Sequence, residues 1–207
     1  DPVFLQGDRL TVRSRNDASF DVAIFPPLAA SPEASLTLRR GRRYGVFQSW
    51  EAQAAARHLE AKFVSLRAAG AMPAPEFGGA ANVGIQPYPE TYARSAAWTL
   101  SLPDDALTGL SNAWLQIEYA GDVARLFDGV ELLDDQFFYG PVWEIGLASF
   151  RDRLANPWTL TVLPLRADSP VYIQAEVRPQ IPANGQMATL TGVRVVPEYE
   201  LTLSVPQ

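Results

Sequence analysis

Carboxylates are the first candidates for chemistry in this chain, because two groups of them fall close together near its middle. Glu118 and Glu144 form one candidate pair, and Asp134 with Asp135 forms the other. Two carboxyl groups about 5 to 9.5 Å apart, one of them held protonated by its surroundings, can hydrolyse a glycosidic bond. Whether these residues act in this way depends on the elements that position them.

The sequence offers fewer suitable residues for a nucleophilic site or a metal site. His58 is the only histidine, cysteine is absent and no Gly-x-Ser-x-Gly sequence occurs, which argues against a serine or thiol nucleophile. A zinc site would need three carboxylates beside that histidine, so no transition metal is expected. Structural calcium is an alternative at Asp128, Asp134 and Asp135, because oxygen ligands suffice. Local hydrogen bonding of aspartate in turns is the favoured interpretation, and no cofactor is predicted.

Aromatic side chains could instead stack on the apolar face of a sugar. Asp135, Tyr139 and Trp143 lie close together in the sequence. Together with Arg125, these three residues form the candidate carbohydrate-binding set. For Trp143 the alternative is a buried side chain that locks its loop onto the sheet. Solvent exposure separates the two, since a binding platform must present one face to water. Further aromatic candidates are Trp50, Phe138 and the two tyrosines of residues 88–92.

The segment 114–147 carries most of these residues and predicts a three-stranded antiparallel meander. Leu115, Ile117 and Tyr119 alternate with polar residues, which is the period of a strand with one buried face. A turn at 120–122, where Gly121 can take positive φ, leads into the second strand. An Asp-Gly pair then predicts the second turn.

That second turn, at 128–129, sets the expected environment of Arg125. It places Arg125 opposite Leu132, on a mostly apolar face of the hairpin. A desolvated guanidinium needs a partner, and Asp122 and Asp135 are the nearest carboxylates. An internal ion pair is the favoured interpretation, and a ligand-binding arginine is the alternative.

The string GDVARLFDGVELLDDQFFYGPVWEIGL, residues 121–147, resembles the jelly-roll domain that follows the catalytic barrel in β-galactosidase-like enzymes of glycoside hydrolase family 35. The likeness continues through 163–165 and 171–173 and is weak elsewhere. It implies a galactose-binding-like jelly roll. Its expected partners are the catalytic barrel of the same or a parent polypeptide and a galactoside or plant polysaccharide. The residues that carry the likeness are Gly121-Asp122, Ala124-Arg125, Gly129, Asp135, Phe137, Gly140 and Trp143 through Leu147.

The same resemblance implies that this chain does no catalysis. In that family the catalytic glutamates lie at strand ends of an (α/β)8 barrel, and nothing in this chain resembles those strands. We therefore expect no catalytic residue here and no enzymatic activity from the isolated chain.

Composition bounds the remaining possibilities. The 207 residues are 47% hydrophobic and 19% charged, as in an ordinary folded protein. The net charge of -6 argues against a nucleic-acid partner. No apolar run approaches the roughly 18 residues that cross a bilayer, so no membrane partner is expected. The first residue, Asp1, indicates a piece of a longer polypeptide or a processed chain. Localisation stays open, with the periplasm or cell exterior favoured over the cytoplasm.

About eleven short strands separated by turn residues predict an all-β fold, an antiparallel β-sandwich with few short helices. Residues 1–28 are predicted to form a β-hairpin from strands at 9–13 and 19–25, which could finish a preceding domain. Residues 29–207 would then form the jelly-roll sandwich. Its last strand, 192–205, is expected to break at Pro197, because proline cannot donate to a strand ladder.

Two other segments stand out. Residues 68–90, rich in Gly, Pro and Ala, predict a long loop of the kind that is usually functional or poorly ordered. A second hairpin, from strands at 35–39 and 43–48, is predicted around Gly41. The four arginines that flank this turn are either solvated or contact acidic groups of another domain or an acidic sugar. They are Arg39, Arg40, Arg42 and Arg43.

Three functions follow from these observations. The first is a non-catalytic accessory domain that supports the barrel of a β-galactosidase-like enzyme and contacts carbohydrate. The second is an autonomous carbohydrate-binding module, and the third is a purely structural or assembly domain.

Overall fold

The computed structural model describes residues 2–28, 32–182 and 185–204, and most of the regular structure there is β-strand. Two short 3-10 helices, Pro89–Arg94 and Leu147–Arg153, accompany the strands. In chain order, the strands are β1 (Val3–Gln6), β2 (Arg9–Arg15), β3 (Ser19–Ile24), β4 (Thr37–Tyr44), β5 (Phe47–Gln53), β6 (Lys62–Arg67), β7 (Phe77–Gly78), β8 (Val83–Gly84), β9 (Ala96–Ser101), β10 (Asn112–Ala120), β11 (Val123–Asp128), β12 (Glu131–Phe137), β13 (Trp143–Gly146), β14 (Trp158–Val162), β15 (Leu165–Arg166), β16 (Gln186–Met187) and β17 (Thr189–Ser204).

Two five-stranded antiparallel sheets form the main body. The first sheet has the order β1-β2-β17-β10-β13, and the second has the order β12-β11-β14-β9-β6. Buried side chains alternate along β10 and β14, as the two-residue period of a strand requires. They meet in a first core that includes Leu115, Ile117 and Leu160. The predicted all-β antiparallel sandwich is confirmed, and its jelly-roll topology stays a prediction.

A smaller sheet, with the order β3-β5-β4, packs against β2 and the second half of β17. Val22 from β3 and Trp50 from β5 meet Leu201 and Leu203 from β17 in a second core. Trp50 is only 2% exposed. This second core therefore brings together residues from near both ends of the described chain.

The predicted three-stranded meander is wrong at its first turn. Strand β10 pairs with β13 and β17, whereas β11 pairs with β12 and β14, so residues 121–122 carry the chain from one sheet to the other. Gly121 does not have positive φ. A Cβ at that position would collide with the side chain of Val162 and lie 2.9 Å from the carbonyl oxygen of Leu163. Glycine is required there because the crossing chain passes close to β14.

The hairpin of β11 and β12 is confirmed, but its predicted register is wrong. The turn lies at 129–130, and Arg125 is opposite Asp135 instead of Leu132. Gly129 is the first of the two central residues of the turn. Its φ of +59° is the positive value that this position requires. A bulge at 126–127 shifts the pairing further.

Residues 1–28 form strands at the predicted places but not the predicted hairpin. Strand β2 pairs with β1 and β17, while β3 pairs with β5 of the small sheet. The apolar side chains Val12 and Val22 both belong to the second core, so these strands pack face to face instead of side by side. The domain division after residue 28 stays a prediction, and residues 29–31 lie outside the described part of the chain.

The turn predicted at Gly41 is also displaced. Strands β4 and β5 do form a hairpin, but its turn lies at 45–46, where Gly45 has a φ of +59°. Gly41 lies within β4, in a bulge between Arg40 and Arg43. Gly45, and not Gly41, therefore allows the chain to reverse direction between β4 and β5.

The last strand is continuous through Pro197, contrary to the predicted break. Residues 189–198 of β17 pair with β10, and residues 198–204 pair with β2. Pro197 lies one residue before the pairing with β2 begins, so its missing N–H falls where the strand changes partner. Val205, the predicted end of this strand, lies outside the described residues.

Candidate functional site

The residues predicted to bind carbohydrate lie in different surroundings. Trp143 is 4% exposed and packs edge-on against Tyr119, with ring centroids 6.2 Å apart. Its ring presents no face to solvent, so Trp143 packs in the core and is not a platform for a sugar. Tyr139 is 57% exposed, and Asp135 lies exposed on β12. Trp143 is thus buried, whereas Asp135 and Tyr139 are exposed.

Arg125 lacks the predicted ion pair. Among the described residues, no carboxylate oxygen lies within 4.0 Å of its guanidinium, and its buried Nε has no hydrogen-bond partner. The guanidinium carbon lies 3.6 Å from the ring centroid of Tyr92 instead. A cation over an aromatic face is stabilised by the ring quadrupole. The 3-10 helix Pro89–Arg94 supplies this ring and so covers the arginine.

The two candidate glutamates lie on the outer side of the first sheet. Oε2 of Glu144 lies 3.1 Å from Arg15, and its other oxygen accepts a hydrogen bond from Gln116. Oε1 of Glu118 lies 3.5 Å from Arg194. Both carboxylates are therefore engaged by arginines on a solvent-facing surface.

Local hydrogen bonds and an ion pair engage two of the three aspartates considered for calcium, Asp128 and Asp134. Asp128 accepts hydrogen bonds from Asn156 and lies 3.7 Å from Arg153, and Asp134 accepts one from the backbone N–H of Asp135. Within the described ranges, no group of three or more His, Asp or Glu side chains is arranged to hold a metal ion.

A pocket of about 300 Å³ lies beside Tyr92, between the long segment 72–92 and the edge of the second sheet. We call it the Tyr92 pocket. Its apolar lining includes Met72, Ile85, Tyr88, Tyr92, Phe137 and Val171, and its polar lining includes Glu76, Gln86, Thr91, Asp122, Arg166 and Ser169. The pocket therefore combines aromatic rings with a small number of polar groups, as binding sites for small molecules do.

Hydrogen bonds hold the start of the long segment 68–90 against the sandwich. Nη1 of Arg166 donates to the carbonyl oxygen of Met72 at 3.0 Å, and Nε2 of Gln186 donates to that of Gly70 at 2.9 Å. The N–H of Met72 donates back to Gln186 at 2.8 Å. These bonds turn the predicted loop into a fixed wall of the pocket.

A close contact holds the far end of the same wall. Strands β7 and β8 form a small hairpin, and a Cβ added to Gly84 would lie 2.5 Å from Cγ of Pro170. Only a residue without a side chain lets the hairpin approach the 164–171 segment so closely.

Two carboxyl groups line the pocket, and Asp122 is half-buried whereas Glu76 is exposed. Burial raises the pKa of the Asp122 carboxyl group above the usual range. In the described part of the chain, no hydrogen-bond donor or cation engages this carboxyl group. Burial and the nearby charge of Asp122 also raise the pKa of Tyr119, whose hydroxyl donates to the carbonyl oxygen of Gln136 at 2.9 Å.

Arg166, in contrast, makes a hydrogen bond from each of its three nitrogens. Its Nε and Nη2 each lie 2.7 Å from an oxygen of Asp168, and this bidentate contact lowers the pKa of Asp168. Because its remaining Nη1 is used on Met72, the arginine mainly supports the pocket wall. Asp122 is thus a pocket carboxyl group that the described residues leave with hydrogen-bonding capacity for a ligand.

The sequence singles out several residues that line this pocket, but it does not predict that they form one site. Tyr92 belonged to the aromatic candidates, and residues 68–90 were expected to be functional or poorly ordered. Asp122 was considered only as a partner for Arg125, and Phe137 only as part of the family resemblance. Loop length together with the tyrosines at 88 and 92 was the available signal.

No family model, no curated protein and no solved structure matches this chain. Among the described residues, none of the helices has the length and apolar character to span a membrane.

Proposed function

We propose that this chain is a non-catalytic β-sandwich module that binds a carbohydrate unit in the Tyr92 pocket, as an accessory domain of a β-galactosidase-like glycoside hydrolase. The link to that enzyme class rests on the sequence resemblance at 121–147. The observation that carries the binding role is the Tyr92 pocket, where a carboxyl group without a protein donor faces aromatic and apolar walls.

The chemistry of the pocket suits a sugar. Tyr88 and Phe137 are 54% and 67% exposed, so they can contact the C–H face of a pyranose ring. Asp122 can accept hydrogen bonds from sugar hydroxyls, and such bonds to a carboxylate are stronger than those between neutral groups. A volume of about 300 Å³ lies at the lower end of the range for small-molecule sites, which is about 300–1,000 Å³. A ligand of one or two sugar rings is therefore expected.

Calorimetric titration of the chain with galactose, lactose and a galactan digest tests this proposal. We expect saturable binding that Asp122→Asn weakens by about tenfold to a hundredfold, because a hydrogen bond to a charged group contributes about 1.5–3 kcal/mol. Phe137→Ala should weaken binding as well. Tyr172→Ala is the matched control, since this tyrosine is 87% exposed and does not line the pocket.

Absence of a saturable signal with all three sugars, from a chain with the far-ultraviolet spectrum of a β protein, would reject the binding role. Equal affinities of the parent chain and Asp122→Asn would place the sugar elsewhere.

A second candidate function, support of a neighbouring catalytic barrel, is favoured by the exposed strand β6. This strand is at the edge of the second sheet, and all six of its residues are exposed. Val64 and Leu66 are 66% and 58% exposed, and apolar edge strands are normally paired or covered. Hydrogen exchange tests this role: the amides at 62–67 should exchange more slowly in a longer polypeptide carrying the barrel than in the isolated chain. Equal exchange rates would argue against it.

A further inference from the structure

Strand β4 leaves one of its edges without a partner. It is the last strand of the small sheet, whose order is β3-β5-β4, and no other strand in the described part of the chain pairs with it. Residues 39–44 are all exposed. An open edge presents a row of backbone N–H and C=O groups, which is a template for the addition of another strand.

Positive charge is concentrated along this edge, although the whole chain has a net charge of -6. We call residues 39–43 the arginine edge, because four of the five are Arg39, Arg40, Arg42 and Arg43. Arg39 lies 3.8 Å from Glu51, but their side chains are 82% and 40% exposed, and such pairs contribute little. For the other three arginines, no carboxylate of the described residues lies within 4.0 Å. The charge of the edge is therefore left for a partner.

The bulge in the arginine edge is held by specific bonds. Nε2 of Gln48 donates to the carbonyl oxygen of Gly41 at 2.9 Å, and Oγ of Ser49 donates to that of Arg42 at 2.7 Å. A Cβ on Gly41 would collide with the Ser49 hydroxyl, so glycine is needed at this bulge. The arrangement is thus built by side chains of β5 and is independent of any partner.

Charge disfavours a second copy of this chain as the partner. Antiparallel pairing of two arginine edges would bring arginines opposite each other, and like charges in directly opposed positions destabilise a pair of strands. Cations along an edge are also a device that keeps edge strands from self-association. A strand that carries carboxylates is attracted instead, because Arg40, Arg42 and Arg43 have no carboxylate of the described residues within 4.0 Å.

Exposed aromatic and apolar side chains cluster at the end of the hairpin. The rings of Phe25 and Phe47 lie 5.8 Å apart, and these residues are 60% and 44% exposed. Tyr44 and Val46, at the turn itself, are 62% and 53% exposed. An apolar residue at one end of a bound segment would find contacts here.

We propose that the arginine edge binds an extended acidic segment of another protein. The segment adds to β4 as a strand, places its carboxylates beside the four arginines, and packs a terminal apolar side chain against Phe47. Main-chain hydrogen bonds provide affinity in this mode of recognition, and the side chains provide specificity.

Fluorescence anisotropy with a labelled peptide tests the charge requirement. The probe carries Glu at successive positions, so that its carboxylates lie on both faces of the edge, and it ends in Phe. We expect saturable binding that the double variant Arg40→Glu/Arg42→Glu weakens at least tenfold. The matched control is Arg151→Glu/Arg178→Glu, which changes the net charge equally at two other exposed arginines and should bind as the parent does.

A second probe tests whether the peptide adds as a strand. The same peptide with N-methyl groups at alternate residues keeps every carboxylate but loses the donors of one edge, so we expect its affinity to fall at least tenfold. Equal binding of the methylated peptide would overturn strand addition, and equal binding by both double variants would overturn the arginine edge as the site. Tighter binding of a sulfated oligosaccharide at the same arginines, or a dimer that Arg40→Glu/Arg42→Glu dissociates, would also overturn the proposal.

Discussion

Asp122 is fixed by its backbone while its carboxyl group is left free. Its N–H donates to the carbonyl oxygen of Leu163 at 2.8 Å, and its own carbonyl oxygen accepts from the N–H of Phe138 at 2.8 Å. These bonds hold the residue where the chain passes between the two sheets. The main chain of Asp122 is therefore held in place by the surrounding strands, at the margin of the pocket that its carboxyl group lines.

The pH dependence of stability should report on this carboxyl group. Burial raises the pKa of Asp122 in the folded protein above its ordinary value of 3.8, so the folded state binds more protons than the unfolded state between these two values. Stability contributed by this site is thus present at low pH and is lost as pH rises through that window. Asp122→Asn removes the loss, so we expect the variant to be more stable than the parent at neutral pH.

Urea unfolding across the acidic range measures this difference. The two proteins should have similar stability below the unfolded-state pKa and should diverge as the pH rises, until the folded carboxyl group is ionised. A difference that stays constant with pH would show that Asp122 does not titrate abnormally.

Burial of Trp143 predicts that its side chain stabilises the fold. It is 4% exposed within the first core, so Trp143→Ala should lower the free energy of unfolding by about 3–5 kcal/mol. Urea denaturation checks this, with Tyr172→Ala expected to stay within about 0.5 kcal/mol of the parent because that side chain is exposed. A Trp143→Ala protein of unchanged stability would contradict the packing role.

Residue types in the sequence indicated which chemistry was available but not which residues meet. Arg125 was correctly expected to need a partner, yet the partner is the ring of Tyr92 and not a carboxylate. Sequence patterns give spacing along one strand, whereas this contact joins a strand of the second sheet to a helix in a distant loop. The environment of Asp122 is hidden for the same reason, because the sequence predicts a tight turn at 120–122 where the chain crosses between the sheets.

Elements were predicted more reliably than their pairing. The alternation in β10 predicted that strand and its buried face, and the Asp-Gly pair predicted the hairpin of β11 and β12. The same alternation is compatible with pairing to the next strand or with a crossing to the opposite sheet, since both bury one face. Pairings between distant segments, such as β2 with β17, leave no local pattern at all.

The β7–β8 hairpin forms part of the wall of the Tyr92 pocket, and its position depends on Gly84. In Gly84→Ala, the added methyl group would meet the rigid ring of Pro170, so the β7–β8 hairpin must move outward. We expect a loss of about 1–3 kcal/mol in stability from this overpacking and weaker binding of galactose or lactose. Calorimetry and urea denaturation measure the two effects.

Gly192→Ala is the control for that substitution. Its added methyl group would make only an ordinary contact of 3.6 Å with Glu118, away from the pocket, so sugar affinity should not change. If Gly84→Ala retained the affinity of the parent chain, the hairpin would not be a wall that the ligand contacts.

At the scale of the whole molecule, β17 links the two cores. Residues 189–198 pair with β10 inside the sandwich, while residues 198–204 pair with β2 and contribute Leu201 and Leu203 to the second core. The small sheet is therefore attached to the sandwich through a strand that both share. This connection also bears on the predicted boundary after residue 28, because strands on both sides of that boundary pack in the second core.

A single substitution in the shared strand distinguishes one cooperative unit from two. Leu201 is fully buried, so Leu201→Ala should cost about 2–5 kcal/mol. If the cores unfold together, amide exchange measured by mass spectrometry will accelerate equally in β5 of the small sheet and β10 of the sandwich. Acceleration confined to β2, β3 and β5 would instead show that the amino-terminal segment and small sheet unfold independently, as expected if residues 1–28 finish a preceding domain.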